Sequence, residues 1–127
     1  MKTLIIPAAL DAEMRIEDAQ IDLQYLQAQV GGYIQHVNLE PEIGIGMYMN
    51  EEGKLDKLAV NPRATLLASM FEAIRQGDYI VGDVVLVGEA DSEGNETGLT
   101  DDALAVLSMV FGALLGDDEE QEEGQQA

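Results

Sequence analysis

Between Tyr79 and Gly88 the chain reads Tyr-Ile-Val-Gly-Asp-Val-Val-Leu-Val-Gly, its densest run of β-branched and aliphatic residues. Gly77-Asp78 precedes the run and a polar stretch from Glu89 to Gly98 follows it, so the pattern is that of a strand buried on both faces. Such a strand needs helices or other strands to cover it, and the rest of the chain has to supply them. Gly82, in the middle, points to a bulge or a close backbone approach. Asp83 must then sit beyond that bend or find a partner, for which Arg63 and Arg75 are the available cations, because an unpaired buried carboxylate is costly and titrates high.

The covering elements can be read in order. Lys2 to Ala9 is a strand candidate, and Glu13 to Ile16 its hairpin partner. From Asp18 the apolar residues Ala19, Leu23, Leu26 and Val30 fall on one helical face, and Gly31-Gly32 ends that helix. Tyr33 to Leu39 alternates as a strand. After Pro41, the side chains of Ile43, Ile45, Met47 and Met49 share one face of another strand, from which Asn50 to Gly53 turns into a returning strand, Lys54 to Val60. Asn61 and Pro62 fit the cap and first position of a helix whose apolar face is Leu67, Met70, Phe71 and Ile74, running to about Gln76. Thr100 caps a last helix, Ala103 to Leu115, which is apolar almost all round. Two arrangements satisfy such a helix: burial beneath its own sheet, or a homodimer through Leu104, Leu107, Val110, Phe111 and Leu114. The order of elements gives an α+β class with a mixed, mostly antiparallel sheet of about five strands and about three helices. Residues 1–116 form one domain on this reading. Residues 117–127, acidic and without apolar anchors, are expected to be a disordered tail.

Charge narrows the partners. The chain has 25 acidic and 6 basic residues, a net charge of -19, and residues 1–116 alone carry -13. A surface of that sign repels nucleic acid and anionic membranes and attracts basic protein faces or cations. Direct nucleic-acid binding is therefore not expected. The apolar N-terminal run is too short for a signal peptide and no stretch reaches the length of a membrane span, so the expected location is the cytoplasm, without membrane contact.

No pattern of catalytic residues emerges. Without cysteine, and with His36 as the only histidine, the chain has neither a thiolate nucleophile nor the ligand set of a histidine or cysteine metal site. None of Ser69, Ser92 and Ser108 stands in a nucleophile-elbow context. Asp91 to Glu96 has its glycine at the wrong offset for a calcium loop, and no glycine cluster has the strand-to-helix spacing of a phosphate loop. The expectation is a protein that is not an enzyme and uses no cofactor or metal. Residues that stand out for interaction are Tyr33 and His36 on the alternating strand, Asn61 and Arg63 at a helix start, Asp83 in the apolar run, and Glu89, Asp91 and Glu93, which would share one face if extended. A cation at a helix start opposes the helix dipole, which marks Arg63 for a specific partner or for one of the many acids.

Taken in order, Val30-Gly31-Gly32-Tyr33-Ile34-Gln35, Asn50-Glu51-Glu52-Gly53-Lys54, Asn61-Pro62-Arg63-Ala64-Thr65, Ile80-Val81-Gly82-Asp83-Val84 and Leu99-Thr100-Asp101-Asp102 resemble a family of small domains of unknown function, found largely in phages, plasmids and other mobile elements. Gln35 and His36 stand where that family more often carries an acid. The resemblance implies a mobile-element accessory protein and carries over no catalytic residue. Three readings of function follow. The first is a non-enzymatic acidic interaction protein that engages a basic, nucleic-acid-binding protein in the manner of a DNA mimic. The second is a small-molecule binding protein with its pocket between the glycine-rich strands and the helices. The third is a domain whose acidity answers a saline cytoplasm, where screening reduces self-repulsion.

Overall fold

The computed structural model describes residues 1–112. Strands β1 (Lys2–Ile6), β2 (Arg15–Asp18), β3 (Ile34–Glu40), β4 (Ile45–Asn50) and β5 (Val84–Val87) form one sheet in the order β2-β1-β5-β4-β3. Every pairing in it is antiparallel, so the sheet is not mixed. Helices α1 (Leu23–Val30), α2 (Pro62–Met70) and α3 (Asp101–Phe111) complete an α+β fold.

The run that organises the sequence does supply the central strand. All four residues of β5 are buried, and the strand alternates between two cores. Val84 and Leu86 face one core with Leu4, Ile6, Met47, Leu67 and Leu107. Val85 and Val87 face the other with Ile5, Ile21, Leu26 and Val30. Helices α2 and α3 thus supply the first face and α1 the second. Regular pairing is shorter than the expected Tyr79 to Gly88, because Gly82 takes φ +78°, a left-handed conformation that ends the ladder. Ahead of that bend only Val81 bridges, to Val60.

Several boundaries shift for local reasons. Lys54 to Val60 does not return as a strand: Asp56 N–H reaches the Glu52 carbonyl, Lys57 sits at φ 60°, and the segment coils. Helix α1 begins at Leu23, because Asp18 is still paired in β2 and Asp22 is the residue whose carboxylate accepts the Tyr25 N–H, at 2.8 Å. Leu23 consequently points outward, and Ile21 from the connector fills the core beside Leu26 and Val30. Helix α2 stops at Met70, six residues early, where Glu72 at φ 58° turns the chain. Its buried face is Ala64, Leu67 and Ala68; Met70 is exposed, while Phe71 and Ile74 are half-buried. In α3 the residues Ala103, Leu107 and Phe111 are covered by the domain's own sheet, and Leu104 and Val110 lean on the same core. Leu107 and Phe111 therefore face inward and not toward a second copy; Met109 is the side chain left outward. Leu114 and the expected tail, 117–127, lie outside the described residues. Among the described residues no helix is long and apolar enough to cross a membrane.

A polar thread fixes α1 to the sheet edge. The Tyr25 hydroxyl donates to Glu17 at 2.7 Å and meets the buried Thr3 hydroxyl at 2.8 Å. Burial raises the Tyr25 pKa, and the Tyr25 hydrogen bond, aided by Arg15, lowers that of Glu17.

Candidate functional site

Two groups of singled-out residues come together, and they do different work. The first is built on Asn61, whose side chain is fully buried. Its amide nitrogen donates to the Ile6 and Gly82 carbonyls, each at 2.9 Å, and its oxygen accepts the Ala64 N–H at 3.0 Å. One side chain thereby joins the end of β1, the bend before β5 and the start of α2. Arg63 extends the joint: its Nη2 lies 2.9 to 3.0 Å from the Pro7, Ala9 and Ala12 carbonyls, clamping the turn between β1 and β2. Thr65 finishes it by accepting the Ile80 N–H at 2.9 Å. Asn61, Arg63 and Thr65 are thus engaged in holding the fold, Ala64 is buried in the core, and Arg63 pairs with carbonyls and not with an acid. Asp83 is neither buried nor paired with Arg63 or Arg75. It sits exposed beyond the Gly82 bend, where its carboxylate accepts the Ala8 N–H at 2.9 Å.

The second group lies on the face of β3, β4 and β5 that α1 covers only in part. Side chains alternate along a strand, so Ile34, His36 and Asn38 share this face with Gly46 and Tyr48, in the register His36–Tyr48 and Asn38–Gly46. Helix α1 packs over Ile34, Tyr48, Val85 and Val87. Past its edge an open groove of about 390 Å³ remains, lined by His36, Asn38, Gly46, Tyr48, Glu89 and Glu96, among others. Its floor depends on glycine. A Cβ on Gly46 would lie 2.7 Å from the His36 Nε2, and one on Gly88 would meet the Gly98 carbonyl oxygen at 2.2 Å, where the chain returns alongside the end of β5.

The far wall is the 89–98 loop. Asp91 folds it by accepting the Glu93 and Asn95 N–H groups, both at 2.9 Å, so its carboxylate points into its own turn and its pKa is lowered by those bonds. Glu89, Asp91 and Glu93 are therefore not an extended row of charge, because the chain turns between them. The Thr97 hydroxyl ties the loop's two arms through the Glu89 carbonyl at 2.6 Å. The loop delivers Glu96 to the Tyr48 hydroxyl, which donates to it. Burial first, and then the Glu96 carboxylate, raise the Tyr48 pKa, so the phenol remains a donor. His36 meets the Tyr48 ring edge to face, with centroids 5.0 Å apart. His36 and Glu89 each stand out in the sequence, but in separate groups, and nothing there joins them; Tyr48 and Glu96 do not stand out at all. The one sequence signal is that Tyr48 is a large side chain on the face of β4 opposite its apolar one, next to Gly46 on that face; Glu96 has none.

Tyr33 is outside the groove and exposed. A larger groove of about 460 Å³ lies under the opposite face, with Lys54, Arg75 and Tyr79 on its rim. Lys54 is committed there to Asp78 at 2.5 Å and to the Tyr79 ring at 4.4 Å, and Glu51, Glu52 and Asp78 outnumber the two cations. Among the described residues no cluster of three or more histidine, aspartate or glutamate side chains could hold a metal ion.

The family model described as Domain of unknown function (DUF3846) matches residues 1–112, and the chain belongs to that family. Neither the curated proteins nor the solved structures include a significant match to it.

Proposed function

We propose that this family member is a non-enzymatic interaction protein that engages a basic, nucleic-acid-binding protein through its acidic surface, as an accessory protein of a phage or other mobile element. One observation carries the reading. Of the 19 acidic side chains on residues 1–112, 16 are exposed, and only Glu17, Asp18 and Asp78 stand in ion pairs. The scarce cations do little to offset them: Arg63 is turned onto backbone carbonyls, while Arg15 and Lys54 are already paired. A folded domain that keeps this field unneutralised has strong long-range attraction for a basic face and repels the duplex that such a face would otherwise hold.

The test is competition. A basic host protein captured by the immobilised chain is purified and bound to a labelled duplex, and the chain is then titrated in. Release of the duplex at stoichiometric chain is the expected result. Joint binding of duplex and chain on the same protein would place the contact away from the nucleic-acid site and defeat the mimic reading.

A further inference from the structure

We infer that the groove between His36, Tyr48 and Glu96 is a receptor for the guanidinium of an arginine side chain presented by the basic partner. The inference rests on the reading of the chain as an interaction protein and adds a named site and a named chemistry to it.

The sign of the ligand follows from the carboxylates. Glu89 and Glu96 line the groove, and no cation among the described residues pairs with either. The Tyr48 hydroxyl holds one oxygen of Glu96, which fixes the carboxylate in place and leaves its other oxygen without a hydrogen bond among the described residues. A fixed carboxylate loses little freedom on meeting a cation. A metal ion is a poor fit, because no cluster of three ligating groups is present among the described residues.

The shape selects among organic cations. Gly46 and Gly88 let the His36 ring and the returning 97–98 backbone pack closely onto the floor, and Tyr48 with His36 forms an aromatic wall, the two rings inclined at 62°. A flat group can lie in such a slot against a ring, whose quadrupole attracts a cation. Guanidinium is planar, weakly hydrated and able to give parallel hydrogen bonds to a carboxylate, whereas ammonium is a compact, strongly hydrated point charge. Asn38 adds an amide at the rim.

The experiment is an NMR titration of the full chain with N-acetylarginine methylamide, N-acetyllysine methylamide and the neutral isostere N-acetylcitrulline methylamide. The arginine probe is expected to give saturable shifts centred on His36, Gly46, Tyr48 and Gly88, the lysine probe at least threefold weaker binding, and the citrulline probe no saturation. Two variants check the site. Glu89→Gln removes a charge that holds no other group, and Gly46→Ala sets a methyl against His36; each should weaken the arginine probe about fivefold or more while the remaining amide spectrum keeps its dispersion. Shifts spread evenly over all the acidic surface, equal response to citrulline, or undiminished binding by both variants would overturn the assignment. If the arginine probe leaves the groove untouched while the chain still releases duplex from a basic protein, the groove fails and the surface reading stands. If duplex release also fails, both fall.

Discussion

Replacing Asn61 with alanine should unfold this domain more readily than any other single polar substitution in it, and the size of the loss can be worked out from the contacts. The variant loses the acceptor for the Ala64 N–H, which is the cap of α2, and the donors to the Ile6 and Gly82 carbonyls. Loss of a helix cap costs about 1 kcal/mol. Each carbonyl left buried without a partner costs about 1 to 2 kcal/mol. The total is about 4 kcal/mol, a large share of the roughly 5 to 15 kcal/mol typical of a domain. For a domain of this size the corresponding fall in Tm is about 15 °C. Urea unfolding followed by circular dichroism gives the loss directly, as a shift in midpoint at constant slope. The Asn61→Asp variant sharpens the test: it keeps the cap acceptor but turns a carboxylate oxygen toward the two carbonyls, so it should be no more stable than Asn61→Ala. A loss below about 1 kcal/mol in either variant would refute the idea that this amide joins β1, the bend and α2.

Further outcomes are expected elsewhere. Leu107→Ala should cost about 3 kcal/mol as a core truncation, while Met109→Ser should change stability by less than about 0.5 kcal/mol; the opposite order in thermal unfolding would show that α3 is turned toward a partner. The Tyr48 phenol has its pKa raised by burial and Glu96, so folding favours its protonated form. Its contribution to stability is whole below the unfolded tyrosine pKa of about 10 and is lost as pH rises beyond it. Stability of the parent should therefore fall more steeply above that pH than stability of Tyr48→Phe, and the variant should lose no tyrosinate absorbance at 295 nm near the ordinary tyrosine midpoint. The domain should remain folded in about 10 mM salt, where charges interact over roughly 30 Å, and gain Tm as salt screens the acids; unfolding at low salt would assign the acidity to a saline cell instead.

Parts of this structure were open to reading from the sequence because local chemistry and tertiary packing agree there. Asn61-Pro62 at a helix start, Thr100 as a cap and the aliphatic Val84 to Val87 each specify one conformation, and each adopts it. The failures fall where tertiary contacts override local pattern. Leu23 sits on the expected helical face, yet the strand pairing of Asp18 delays the helix and leaves Leu23 outside. Lys54 to Val60 has enough apolar residues for a strand, but only Val60 finds a partner, because β5 is already flanked by β1 and β4. Arg63 and Asp83 looked like candidates for a partner or for each other. Their actual partners are backbone groups of the turn after β1, which have no side-chain signature. The groove was half legible: alternation places His36 on an open strand face, but the union of Tyr48 with Glu96 spans 48 residues and depends on how Asp91 folds its loop.

The most direct test of the proposed role is the salt dependence of the complex between this chain and a basic protein that it captures. Affinity measured by titration calorimetry between about 50 and 200 mM salt should fall steadily with the logarithm of salt, and neutral duplex-sized competitors should not disturb it while duplex DNA does. A complex that forms with unchanged affinity across that range, or that duplex DNA leaves intact, would contradict the claim that the exposed acids are what the partner recognises.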